Sequence, residues 1–441
     1  MIFRSLRKHF SKNLFVQRTT KLITGTIIAH LIMIGISPIL TRLYAPRDFG
    51  ILSFYVSIAS ILAIIITLRY ELAIMLPKKD SDGWSLVLLS LFVNFVLSLT
   101  LFLIIFIFKI QLIDLIQYAV NLNEKFTYII TDKDISSYLY LIPLSTFFMG
   151  ALHIFLFWTS RRKKFKFQAI SKVIKQSSIG ATQLGSGFFL TPHPLGLIAG
   201  QIVGNFTAAF SLILKSLKDK EIIRYFSLKR IIKNAKKYKK FPLFTSWANL
   251  FNAISENVPI IFLFLFYSHT SAGFYAIATR VIKLPSALVS NSVKHVYYQK
   301  ASEKHSLNQS MKGLFSKVTK KLLLIGIIPL ALVAIFAKDI FGFIFGEQWQ
   351  ISGIYASILA PWMLAAFINT PSQISIFILQ MNQFHLKYEL FLLLFRIVAL
   401  VVGLTLFNKA IISLLFLSAI GVIFNLFLVF FVSNKLKNDI I

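Results

Sequence analysis

Twelve runs of about 20 mostly apolar residues, each closed by a cluster of charge, leave this chain one habitat. The runs are 22–40, 49–76, 84–108, 138–158, 173–190, 194–214, 243–267, 273–297, 322–345, 354–381, 390–407 and 410–432. A helix needs about 20 such residues to cross a bilayer, and inside lipid every backbone N–H and C=O must find its partner within the protein. The expected fold class is therefore an all-α integral membrane protein with 12 transmembrane helices. Composition agrees, since 14% of the 441 residues are charged, where about 25% is usual for a soluble domain. The longest exposed loop, 108–138, is too short for a soluble catalytic domain. The absence of cysteine rules out disulfides, thiolate metal sites and cysteine nucleophiles. The fifth run is the most polar, with Lys175, Gln176, Ser177, Ser178 and Gln183, so that side must face other helices or water.

A formal charge of +31 on a soluble chain would suggest a nucleic-acid partner. Its distribution says otherwise. With both termini in the cytoplasm, 36 of the 47 Lys and Arg fall on that side and 7 on the other, which is the positive-inside asymmetry of a membrane protein. Loops such as Arg161-Arg162-Lys163-Lys164 then lie against an anionic leaflet of membrane lipids, and no nucleic acid is expected. The apolar run after Lys21 ends without a small-residue cleavage site, so it reads as an uncleaved first span.

Two segments repeat a pattern. Pro38-Ile39-Leu40 precedes Phe49-Gly50, and Pro259-Ile260-Ile261 precedes Ala272-Gly273; the two glycines stand 223 positions apart, half the chain. A parallel repeat of two six-helix halves follows, the plan of many transporters, whose substrate path runs between the halves. The expected domains are an N-terminal six-helix bundle over 1–214, a basic amphipathic linker over 215–242 and a C-terminal six-helix bundle over 243–441. Within the linker, Leu228, Ile231, Ile232, Ala235 and Tyr238 share one helical face, and Lys229, Arg230, Lys233, Lys236 and Lys237 lie mostly on the other. That pattern describes a helix in the cytoplasmic interface.

Charge inside a span costs about 2.5–3.5 kcal/mol on insertion scales, so each such residue is a functional candidate. Arg280 and Lys283 lie on nearly one face of the eighth run, and Arg396 lies within the eleventh. Guanidinium groups suit phosphate oxygens, so these three cations predict an anionic, phosphorylated substrate. Glu256 sits deepest, on a helix carrying Asn249, Asn252, Ser255 and Asn257, a wet face. It either carries a coupling proton, pairs with an arginine, or is neutral and hydrogen-bonded. Arg42 and Arg47 flank the outer mouth, and Arg69 lies near the cytoplasmic edge, with Glu71 two residues on and expected to point elsewhere. Arg42, Arg69, Asn249 and Asn252 join the three cations as candidates to bind that phosphorylated substrate, and Glu71 joins Glu256 as a candidate for ion coupling or charge pairing. Gly196, Gly200 and Gly204 form a small-residue stripe for close helix packing. No zinc, nucleotide-binding or nucleophile-elbow motif occurs, and no cofactor or metal is expected. Asp132-Lys133-Asp134 reads as a solvated surface.

The segment Ser37-Pro38-Ile39-Leu40-Thr41-Arg42-Leu43-Tyr44, with Pro46, Asp48-Phe49-Gly50 and then 68–78, resembles the opening of Wzx-type O-antigen and polysaccharide flippases. These belong to the multidrug/oligosaccharidyl-lipid/polysaccharide exporter superfamily. Asn257-Val258-Pro259, Ala272-Gly273-Phe274-Tyr275 and 280–285 resemble the same family in the second half. The resemblance implies two six-helix bundles forming a V around a central cavity, in a bacterial cytoplasmic (inner) membrane. It also implies an undecaprenyl-pyrophosphate-linked oligosaccharide, an O-antigen or capsular repeat unit, as substrate. Polymerases and other polysaccharide-assembly proteins become candidate partners. Two rival functions stand beside it: a drug or cation antiporter of the same superfamily, and a membrane-embedded polymerase or glycosyltransferase.

Overall fold

The computed structural model describes residues 14–120, 137–218, 227–307, 309–379 and 381–438. The Asp132–Asp134 motif of the long loop lies outside them, as does 219–226 of the linker. The described elements are helical: α1 (Leu14–Leu43), α2 (Pro46–Thr67), α3 (Tyr70–Ala73), α4 (Asp80–Val120), α5 (Ile142–Arg161), α6 (Phe165–Phe189), α7 (Pro194–Leu217), α8 (Leu228–Lys237), α9 (Ser246–Phe266), α10 (His269–Ser306), α11 (Lys312–Phe345), α12 (Gln350–Ile368), α13 (Thr370–Ile378), α14 (Asn382–Phe407) and α15 (Ala410–Asn438). The twelve apolar runs fall on the long helices, except that 49–76 runs on from α2 across a break into α3 and 354–381 from α12 across a break into α13. Ten stretches among the described residues are apolar and long enough to cross a membrane, so the chain is a multi-pass membrane protein. The two long helices outside that set, α6 and α10, are the ones whose sequences carry the most polar and charged groups.

The chain divides into two compact units, one of residues 1–44 and 54–253 and the other of 45–53 and 254–441. In the first unit, the polarity of α6 is spent on its neighbours. Gln183 donates Nε2 to the Leu197 carbonyl at 2.9 Å, Ser171 donates to the Ala208 carbonyl, and Tyr44 donates to the Gln183 carbonyl at 2.8 Å. The glycine stripe of α7 makes this approach possible. A Cβ built on Gly204 would stand 2.9 Å from the Lys175 carbonyl oxygen of α6, and one on Gly200 3.1 Å from that of Ile179. Trp84 of α4 and Trp158 of α5 meet edge-on at 5.2 Å at the centre of the core, with Ile154 and Phe155 beside them. At one end, Asp80 opens α4 and pairs with both Arg161 and Arg162 of α5, while Arg161 also donates Nη1 to the Ile74 carbonyl at 3.1 Å.

Helix α8 packs partly on the first unit. Its apolar face is divided: Ile231, Ala235 and Tyr238 pack on the core of the first unit, whereas Leu228 and Ile232 are 64% and 56% exposed. The docking contact is polar. Asn234, 5% exposed, donates Nδ2 to Ser85 Oγ of α4 at 2.6 Å, and Tyr70 donates to the Ala235 carbonyl. Helical spacing identified a face without distinguishing a protein neighbour from lipid. Because removing one partner of a buried hydrogen bond costs about 1–3 kcal/mol, Asn234→Ala is expected to raise amide hydrogen exchange across 228–237 by at least tenfold. Exchange at the parental rate would show that Asn234 does not hold the helix.

The second unit contains the aromatic cluster Phe49, Phe274, Trp349 and Tyr355. Phe49 stands edge-on to Trp349 at 5.2 Å, and Trp349 is fully buried. A separate core gathers Tyr297, Phe315, Leu392, Leu428 and Val432. Helices α12 and α13 are separated by a break at Asn369, where Pro371 follows in the first turn of α13. The buried Asn369 donates Nδ2 to Asn425 Oδ1 of α15 at 2.8 Å, a polar tie typical of helix contacts in lipid.

Candidate functional site

In the second unit the cations Arg280, Lys283 and Arg396 do not present themselves alike. Arg280 and Lys283 stand three residues apart on α10, the first half-buried and the second exposed. Glu256 of α9 is also exposed and acts electrostatically on Lys283, Arg396 and Tyr275. Glu256, Arg280 and Lys283 all keep accessible surface, and a charged group within a span is disfavoured against hydrocarbon.

Arg396 differs. It is 8% exposed, donates Nη1 to the Ser255 hydroxyl at 2.8 Å and to the Ser255 carbonyl at 3.0 Å, and lies 5.1 Å over the Trp362 ring. Its Nη1 is committed to α9 and its flat face to α12, while its buried Nε meets no hydrogen-bond partner. This geometry makes it a strut joining α9, α12 and α14, while its charge still reaches Lys283 and Glu256. The sequence showed an intramembrane cation; the partners that bury it come from helices more than 30 and 140 residues away.

Asn249 and Asn252 lie on α9 in the part that belongs to the first unit, half-buried and exposed respectively. Arg42 is exposed in the last turn of α1.

The first unit holds a second basic group. Helix α2 stops at Thr67, and Leu68 and Arg69 take left-handed backbone angles, with φ of 46° and 56°. Such conformations cost roughly 1–2 kcal/mol per non-glycine residue and gather at functional sites. The break turns Arg69 back onto Glu71, and the two pair at 3.2 Å. The expectation that they diverge assumed an unbroken helix, and the left-handed pair removes that premise. Glu71 is fully buried and also accepts from the Thr67 hydroxyl. Near Arg69 stands His153 of α5, within its electrostatic reach and also within that of Lys175 of α6, and Lys172 donates Nζ to Thr26 of α1 at 2.9 Å. His153 is exposed and Lys175 half-buried. The sequence signal for this group was present, a lysine in the fifth run and a histidine in the fourth, but nothing in the spacing joined them to Arg69. Among the described residues no group of three or more His, Asp or Glu is arranged to hold a metal ion.

Comparison with known proteins gives this arrangement its context. No curated protein matches the sequence. Among solved structures, the lipid II flippase MurJ in an inward closed conformation is similar over 96% of this chain and 90% of its own, at 15% identity and a TM-score of 0.71. A multidrug resistance MATE family transporter of the MOP superfamily, inward-facing, is similar over 97% and 99%, at 10% identity and a TM-score of 0.66. A MOP superfamily transporter from Pyrococcus furiosus is similar over 96% of both chains, at 9% identity and a TM-score of 0.61. At these identities the likeness establishes the fold. The family model described as polysaccharide biosynthesis protein matches residues 39–353. With that match spanning most of the sequence and the MOP fold spanning nearly all of it, the chain belongs to the polysaccharide biosynthesis protein family of multi-pass membrane proteins.

Proposed function

We propose that the chain is a flippase that moves an undecaprenyl-pyrophosphate-linked oligosaccharide, an O-antigen or capsular repeat unit, from the cytoplasmic to the outer leaflet of a bacterial inner membrane. The observation that carries this reading is the accessible surface left to Arg280 and Lys283 on α10, a helix whose apolar run the sequence reads as a span, with Arg69, His153 and Lys175 forming a second basic group. Cations at such depth are tolerated where water and an anion reach them. Family membership supplies the polysaccharide context, and the similar MurJ is named a lipid II flippase. Sugar hydroxyls each cost several kcal/mol if carried unpaired through hydrocarbon, so the headgroup needs a polar route while the polyprenyl tail stays in lipid.

Alternating access of the two halves supplies that route. Cations hold the pyrophosphate on the cytoplasmic side, and the headgroup leaves on the other. An outgoing anion gains about 2.3 kcal/mol per charge per 100 mV of interior-negative potential. The positive-inside charge distribution supports a cytoplasmic side for both termini. A cationic route repels cationic drugs, which argues against the antiporter. The short loops leave no room for the catalytic loop of a polymerase.

The double variant Arg280→Ala, Lys283→Ala is expected to leave lipid-linked repeat units in the inner leaflet while still inserting, with translocation reduced about 100-fold or more. That magnitude follows from about 1.5–3 kcal/mol for each hydrogen bond to a charged group that the variant can no longer make. The measurement is accessibility of the labelled sugar to an external glycosidase in proteoliposomes. Translocation at the parental rate would remove this pair from the headgroup site.

A further inference from the structure

The ion pair of the first unit is set in a way that a simple structural role does not explain. Glu71 is fully buried, yet only one carboxylate oxygen is occupied: Oε1 accepts from Arg69 and Thr67, and Oε2 meets no partner. Arg69 has an orphan too, its buried Nε. Both residues sit at a backbone break held in left-handed angles. A buried carboxylate with one bare oxygen depends on its single cation, and without it the neutral acid is the cheaper form.

We propose that an anion seated at the Arg69, His153 and Lys175 group draws Arg69 away from Glu71, and that Glu71 then takes up a proton from water. Occupation of the site by a phosphorylated headgroup is thereby linked to binding of one proton. This inference rests on the anion-carrying reading above and deepens it.

Three features support the exchange. Arg69 pairs with its carboxylate and lies within electrostatic reach of His153, which Lys175 also reaches, so an anion seated there would compete with Glu71 for the guanidinium. Breaking the pair releases Nη1, which together with the orphaned Nε offers a phosphate two donors of a guanidinium's fork. The proton acceptor is prepared as well, because Thr67 Oγ1 stays within 3.3 Å of Oε1 to hold the neutral acid in place. The charged surroundings are few. α4 contributes Asp80, which is held by Arg161 and Arg162. α5 contributes His153 and Arg161, the latter engaged on the Ile74 carbonyl. α6 contributes Lys175, and α8 meets α3 through the Tyr70 hydroxyl. The 241–245 segment carries no titratable side chain. Among the described residues Arg69 is the charged group that acts on Glu71, and the Thr67 hydroxyl adds a hydrogen bond.

The test is calorimetric titration of the full chain in nanodiscs with farnesyl pyrophosphate, repeated in buffers of different ionisation enthalpy to count protons. The wild type is expected to take up about one proton more per bound ligand than Glu71→Gln, and Glu71→Gln is expected to bind several-fold more tightly because Arg69 starts free of a charged partner. Equal proton counts with binding intact would overturn the proposal. So would uptake that survives Glu71→Gln but vanishes in His153→Asn. Should Glu71→Gln not fold, Arg69→Gln reads the same linkage from the other side. In that variant Glu71 is protonated before ligand arrives, so absence of uptake supports the proposal and unchanged uptake overturns it. Failure of farnesyl pyrophosphate to bind any form would instead sink the anion-carrying reading itself.

Discussion

Replacing either Gly50 or Gly273 by leucine is expected to eliminate folded protein, at a cost of about 3 kcal/mol or more. A Cβ built on Gly50 would run into the His269 carbonyl and stand 3.1 Å from the Gly273 backbone nitrogen; one on Gly273 would run into the Pro46 carbonyl and stand 3.0 Å from the Gly50 nitrogen. Overpacking among side chains costs about 1–3 kcal/mol because rotamers and neighbours yield. Here the opposing atoms are backbone on both sides, at the first turns of α2 and α10, and the buried Phe49, Phe274 and Trp349 leave no direction in which to retreat. Thermal unfolding and gel filtration of purified protein would measure the effect. Gly35→Leu is the matched control, since a Cβ at Gly35 meets nothing within 4 Å, and it should stay within about 0.5 kcal/mol of the parent. Parental melting in both leucine variants would mean that α2 and α10 do not approach this closely.

The same two glycines show how far the sequence carries. They are legible as paired landmarks 223 positions apart, and each is glycine because the other's helix passes against it. The spans are legible because hydrocarbon permits a segment of this length only one regular structure. Even the polar α6 follows from the requirement that Lys175 and Gln183 avoid lipid. What periodicity could not supply is the partner of a polar group. On α8 it marks an apolar face but not that Asn234 is drawn onto Ser85. At Arg69 it fails outright, because i, i+2 divergence holds only inside a continuous helix, and two successive left-handed residues bring Arg69 and Glu71 together. The basic group around His153 is hidden for a related reason: its members come from the end of α2, the middle of α5 and the first half of α6, and no spacing rule connects them.

Arg396 and Lys283 offer the sharpest separation of structure from transport. Arg396→Ala is expected to destabilise the protein by about 3 kcal/mol, because it removes a desolvated cation–π contact worth about 2 kcal/mol and leaves the buried Ser255 groups without their donor. Its translocation defect should follow from loss of folded protein and be rescued in part by Arg396→Lys, which keeps the charge but loses the flat stack and the fork. Lys283→Ala should show the opposite signature, with stability within about 0.5 kcal/mol of the parent and translocation reduced at least tenfold, since its ammonium is exposed and faces Glu256 electrostatically. Denaturant titration in detergent and the proteoliposome flux assay, run on the same preparations, would give both axes. If Arg396→Ala proved as stable as the parent yet inactive, Arg396 would join Arg280 and Lys283 at the headgroup. In that case the Trp362 stack would describe a resting position from which the guanidinium swings when an anion arrives.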